Sequence, residues 1–189
     1  INLLKNQSMV EAEKNISAER AVEILNTRLL NAFPDAGIRV LLNDQMTADA
    51  AAGSDYLKIR SDASFNALDI DVLEVHEGWV HLGTTLNGMA QPWCTFLGKG
   101  PPSSTTTQEG LAVLTEILTM RSSPSRLYRL INRVRAVTLA EEGANFVEVF
   151  DYLRSNEMSD DDSYAIAVRI FRGSTPEGRP FTKDLAYMR

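Results

Sequence analysis

The chain has 189 residues, 44% of them hydrophobic and 23% charged, with a formal net charge of −6. That balance can bury a core, and the length suits one domain or one large piece of a domain. No apolar run approaches the ~20 residues of a membrane helix, no basic-then-apolar signal segment begins the sequence, and a lone cysteine excludes an internal disulfide, so the expected setting is cytoplasmic and away from membranes.

Along the chain the expected order is helix, strands, then helices. Ser17-Ala18-Glu19-Arg20 resembles a capping box, and Ala21, Ile24, Leu25, Leu29 and Leu30 recur on one face until Phe33-Pro34, which predicts a first helix. Ile38 to Leu42 and Tyr56 to Arg60 read as short strands, separated by an alanine-rich, turn-prone stretch containing Gly53-Ser54-Asp55.

Both histidines then fall inside one string, His76-Glu77-Gly78-Trp79-Val80-His81. Imidazole is the commonest neutral zinc ligand, and a carboxylate beside the first ligand is where a water-activating base must sit. The spacing is HExxxH, one residue longer than HExxH. At about 100° per residue, α-helical positions four apart lie within about 40° of one face, whereas positions five apart diverge by about 140°. A π-bulge would restore a common face, such bulges occur mostly at functional sites, and Gly78 makes the distortion cheaper. The helix is expected from about Ala67 to Leu86, with Leu73, Trp79, Val80 and Leu82 available for packing and Trp79 in the core. The competing reading is a surface helix with two incidental histidines.

The loop from Gln91 to Ser104 is rich in Gly and Pro but has no phosphate-cradling Gly-x-x-x-x-Gly-Lys pattern, which argues against nucleotide binding. A zinc site needs a further protein ligand. Cys94 is one candidate, although Trp93-Cys94-Thr95-Phe96 reads as apolar packing. The better candidate is Glu109. Thr105-Thr106-Thr107-Gln108-Glu109 opens a helix with threonine as cap, Glu109 is expected in its first turn, and Leu111, Leu114, Ile117 and Leu118 recur at helical spacing until Ser122-Ser123-Pro124. Glu116 competes for the ligand role, or is an outer or solvated acid. Two histidines from one helix and a glutamate from the next form the ligand set of gluzincin-type metallopeptidases.

Residues 117 to 140 hold Arg121, Arg126, Arg129, Arg133 and Arg135 and no acid. They read as a solvated flank, or alternatively as a steering surface for an acidic peptide; the absence of interleaved aromatics argues against nucleic acid as a partner. Asp160-Asp161-Asp162-Ser163 caps a helix bearing Tyr164, Ile166, Ala167, Val168, Ile170 and Phe171, and lacks the glycine and terminal glutamate of a calcium loop. Phe181-Thr182-Lys183-Asp184 then returns to the core.

Three ordered strings, VHEGWVHLGTTLNG (75–88), TTTQEGLAVLTEIL (105–118) and FTKDLAYM (181–188), resemble the family long called DUF1704. Its bacterial members are the flavohaemoglobin expression-modulating QEGLA-motif proteins, and its animal members include microtubule-associated tyrosine carboxypeptidases. The resemblance runs from about residue 56 to the end. It implies an α+β, gluzincin-like metallopeptidase core, mainly helical with a small sheet preceding the HExxxH helix. It also implies Zn2+ held by His76, His81 and Glu109, Glu77 as general base, and a peptide or protein C-terminus as substrate. In folds of this type the strand before the metal helix can pair with an extended substrate, and Tyr56 to Arg60 stands in that place. A carboxypeptidase must also neutralise the substrate's carboxylate and stabilise an oxyanion; Arg169, Arg172 and Lys183 are the candidates for the first task, Tyr164 and Tyr187 for the second. The chain begins with Ile1 and stops at Arg189 just after a motif, so it reads as an excised, single catalytic core. The rival readings are a regulatory protein that keeps zinc as a fold staple and a helical interaction module without metal.

Overall fold

Ser17 caps the first helix through its hydroxyl, which accepts the Arg20 amide at 3.3 Å, and α1 then runs Ala18–Ala32. The computed structural model describes residues 12–46 and 48–188, which form two compact units, 12–123 and 124–188. The fold is α+β and mainly helical, with a small sheet ahead of the histidine helix.

In the first unit α1 buries Ala21, Leu25 and Leu29 against Val40, Leu57, Ile59, Phe65, Ile70 and Leu82. Truncating one such leucine to alanine costs about 2–5 kcal/mol. The sheet contains β2 (Arg39–Asn43), β3 (Ala50–Ala52) and β4 (Tyr56–Arg60) in the order β2-β4-β3, with β1 (Ile16–Ser17) and β5 (Ser64–Phe65) forming a separate antiparallel pair. β4 is parallel to β2 and antiparallel to β3. Because β4 is central, both of its edges are already paired, and the expectation that Tyr56–Arg60 offers an edge to substrate does not hold. The edge strands are β2 and β3, and β3 lies in the stretch read as turn-prone. Alanine has weak strand propensity, but the β4 ladder and the tight Gly53–Tyr56 connection, closed by a 2.8 Å bond from Gly53 N–H to Tyr56 C=O, override it. A methyl at Gly53 would meet the Tyr56 ring at 2.3 Å, so the ring would have to swing aside.

The histidine helix has three parts: α2 (Ala67–Leu73), a π-helical segment (Glu74–Leu82) and α3 (Gly83–Met89). Asn66 and Asp69 form a capping box at its start. The Gln91–Ser104 loop contains two 3₁₀ turns, Thr95–Lys99 and Pro102–Ser104. The apolar packing expected of Trp93 and Phe96 is absent: they are 91% and 64% exposed, and Cys94 is exposed as well.

α4 spans Thr105–Leu118 and corrects two expectations. It begins at Thr105, with Ser104 before it and no side-chain cap, so Glu109 lies beyond the first turn. Its leucines also point the other way: Leu111, Leu114, Ile117 and Leu118 are exposed, whereas Glu109, Ala112, Val113 and Glu116 are buried. The inward face is the one that carries the acids.

The second unit comprises α5 (Pro124–Glu141), α6 (Phe146–Ser155), α7 (Asp160–Ile170) and a 3₁₀ turn, Thr182–Tyr187. Val137, Val149, Leu153, Ile166, Ile170 and Leu185 form its core. α7 is capped by Ser159 and not by the aspartates, which occupy its first turn, where the helix dipole favours them. Several residues of the arginine run are engaged by neighbours, although Arg135 stays exposed. Arg133 holds Asp184 at 2.7 Å, Arg129 lies 3.6 Å from Asp162, Arg135 covers the Tyr152 ring, and in the first unit Arg121 holds Glu74 at 2.7 Å.

Candidate metal centre

The π segment answers the spacing problem. In an i→i+5 helix, residues five apart stack much as residues four apart do in an α-helix, and the Gly83 amide accordingly reaches back to the Gly78 carbonyl. His76 and His81 end with ring centroids 4.9 Å apart. Gly78 contributes by allowing close approach: a methyl there would lie 2.4 Å from Leu29 Cδ2, so its absence lets the wide turn rest on α1. Trp79 is not core. It is 38% exposed, with the Arg121 guanidinium 5.1 Å from its ring centre. Val80 and Leu82 are buried as expected.

Upstream of the histidines, Glu74 is buried and bridges two elements, accepting from Arg28 of α1 at 2.9 Å and from Arg121, just beyond α4, at 2.7 Å. Arg28 also binds Asp71 at 2.6 Å. A buried carboxylate is tolerated when it is paired in this way, and these pairs pin the start of the π segment.

His76, Glu77 and His81 each offer a donor atom within 4.8 Å of the others. Glu109, outside that group, approaches both histidines from α4. Its Oε2 lies 3.3 Å from His76 Nε2 and 3.8 Å from His81 Nε2. Ligands about 2.0–2.1 Å from a tetrahedral zinc ion are about 3.3 Å from one another, so the spacing of the donors fits zinc, as does their chemistry of two imidazoles and a carboxylate. Cys94, on an exposed 3₁₀ cap, is not among these donors.

The remaining nitrogens and oxygens are held from outside. His76 Nδ1 lies 2.6 Å from Glu116 Oε1, and Glu116 Oε2 accepts from the Ser122 hydroxyl at 3.3 Å. Glu116 has no exposure, so it is not a solvated acid. His81 Nδ1 lies 3.4 Å from Gln108 Oε1. Glu77 Oε2 accepts the backbone amide of Ala52, on β3, at 3.1 Å. Burial opposes a charged His76, but the Glu109 and Glu116 carboxylates, with Glu77 nearby, outweigh it and raise the imidazole to about 9. Carboxylates on several sides of His76 thus favour positive charge at this point, which is compatible with a divalent cation.

The residue reading therefore singled out four side chains that the fold brings together, and it did not foresee Gln108 or the Ala52 amide. Glu116 carried a usable signal. It stands seven residues after Glu109, two turns along the same face.

The five candidates for substrate binding belong to the second unit. Arg169 makes paired bonds to Asp184 at 2.9 Å, Arg172 stacks 3.9 Å from the Phe181 ring centre, and Lys183 is exposed. Tyr164 is 59% exposed and edge-on to Phe146, and the Tyr187 ring lies under Arg133.

Comparison with known proteins gives one family. The family model described as microtubule-associated tyrosine carboxypeptidase matches residues 1–189. No curated protein matches the chain.

Proposed function

The chain belongs to the microtubule-associated tyrosine carboxypeptidase family, and from that premise we propose that it is a zinc-dependent carboxypeptidase-type metallopeptidase acting on the C-terminus of a peptide or protein. Family membership supports the peptidase class. The observation that supports zinc and its ligands is the convergence of both imidazole Nε2 atoms on one Glu109 oxygen, at 3.3 and 3.8 Å, beside the Glu77 carboxylate.

In this reading His76, His81 and Glu109 hold the ion. Three protein ligands are usual where a coordination position stays open for catalysis, whereas structural sites close with four. When bound, zinc supplies a Lewis acid for the scissile carbonyl and lowers the pKa of the attacking water. Glu77 takes the proton of that water and passes it to the leaving amine nitrogen. With Oε2 held by the Ala52 amide, Oε1 is the oxygen that takes the proton. An extended substrate pairs with the outer edge of β3, next to this carboxylate. Arg169, Arg172 and Lys183 are proposed for the substrate's terminal carboxylate, and Tyr164 or Tyr187 for the oxyanion. The proposed compartment is the cytoplasm.

Elemental analysis of the purified chain and its variants, paired with release of the terminal residue from a peptide panel, tests this. Near-stoichiometric zinc is expected in the parent and in Glu77→Gln, and its loss in Glu109→Ala. Glu77→Gln should lose turnover by at least about 100-fold while keeping its zinc. A Glu77→Gln variant as active as the parent would sink the assignment of the base. Zinc in a parent that cleaves nothing would favour the staple reading.

A further inference from the structure

Glu116 is a carboxylate with no exposure at all, and the hydrolytic scheme gives it no proton to move. We propose that Glu116, with Gln108 in a lesser part, is a positioning residue that sets the tautomer and orientation of the two imidazoles, so that both present Nε2 to the ion. This inference rests on the zinc reading above.

The geometry has one helix serving three purposes. Glu109 and Glu116 lie two turns apart on the buried face of α4, and His76 stands between them, with Nε2 3.3 Å from Glu109 and Nδ1 2.6 Å from Glu116. Glu116 occupies the Nδ1 side of the ring, so Nε2 is the nitrogen left to face Glu109 and the ion. The Ser122 hydroxyl holds the other Glu116 oxygen and stops the carboxylate from turning away. At His81 the arrangement repeats with a neutral acceptor: Gln108 Oε1 faces Nδ1 at 3.4 Å, and Nε2 faces Glu109 at 3.8 Å.

A carboxylate behind a ligating imidazole raises the basicity of the opposite nitrogen and strengthens its bond to the metal. His76, the more deeply buried of the two, has the charged partner, while the more exposed His81 has the amide.

The test measures zinc affinity of the metal-stripped full chain by competition with a chromogenic chelator, alongside thermal melts of the stripped protein. Glu116→Gln keeps the shape and a hydrogen bond but removes the charge. It should weaken zinc about 10–100-fold while the stripped protein still melts cooperatively, a split that loss of folding would not produce. Glu116→Asp, which keeps the charge on a shorter arm, should recover part of the loss. Gln108→Ala, at a half-buried position, should lose less than Glu116→Gln and serves if the Glu116 variants fail to fold. Zinc affinity within about twofold of the parent in Glu116→Gln and in Gln108→Ala, with zinc still lost in Glu109→Ala, would overturn the positioning role and leave the metal centre standing. A parent that binds no zinc would overturn both.

Discussion

Side chains that are missing shape this centre as much as those present. A methyl on Gly78 would sit 2.4 Å from Cδ2 of Leu29, which is wholly buried and belongs to the core of the first unit. Because Leu29 is buried in the core, either its side chain must repack or the wide turn bearing both histidines must lift from α1. Gly78→Ala is expected to destabilise the protein by about 1–3 kcal/mol, seen as a lower denaturant midpoint with unchanged slope, and to weaken zinc retention. Unaltered stability would mean that Leu29 finds another rotamer at no cost.

At the scale of elements, the short strand β3 links the sheet to the chemistry. Gly53 N–H bonds Tyr56 C=O and Arg60 N–H bonds Asp49 C=O. Bonded pairs alternate along an antiparallel ladder, so Ala52, opposite Leu57, is an unbonded position whose amide points off the outer edge. There it meets the Glu77 carboxylate. Ala52→Pro deletes that donor without deleting a ladder bond, at an edge where proline is tolerated. The expected result is turnover reduced about ten- to a hundredfold with zinc content intact, whereas Ala52→Val, which keeps the amide, stays active. Loss of zinc in the proline variant would show instead that β3 supports the whole segment and not the base alone.

Across the whole molecule the two units are stabilised differently. Residues 12–123 pack a helix on a sheet, and residues 124–188 pack three helices around an apolar core with Asp184 buried beside it. Burial pushes the Asp184 carboxyl up, but the hydrogen bonds from Arg169 and Arg133 outweigh it and hold it below the ordinary aspartate range. The folded state therefore gives up this proton at lower pH than the unfolded chain does. The stabilisation is fully present above the unfolded aspartate value and is lost as pH falls through the folded one. Melting temperatures followed from neutral to acid pH should fall less steeply for Asp184→Asn than for the parent, and parallel curves would contradict this. Among the described residues no helix is long and apolar enough to cross a membrane.

What the sequence by itself determined were the features governed by neighbours a few residues apart. The Ser17 cap and its helix, the strands near residues 40 and 58, and the wide turn needed if two histidines five apart are to share a face all follow from local geometry, and so does a helix beginning near Thr105. Periodicity also found the buried face of α1, but only the tertiary structure decided which face of α4 turns inward. The leucine stripe of α4 reads as a buried face, yet Glu109 and Glu116 occupy that face because their partners, His76 and His81, are on another element. Trp79 turns outward while Gly78 and Val80 turn in, and an alanine run becomes a strand because β4 lies beside it. The arginines of α5 look unopposed along the chain, yet Arg133 finds Asp184 fifty-one residues away. Periodicity reports that a helix or strand will form, but burial and ion pairing depend on groups brought close by folding, and spacing along one segment carries no record of them.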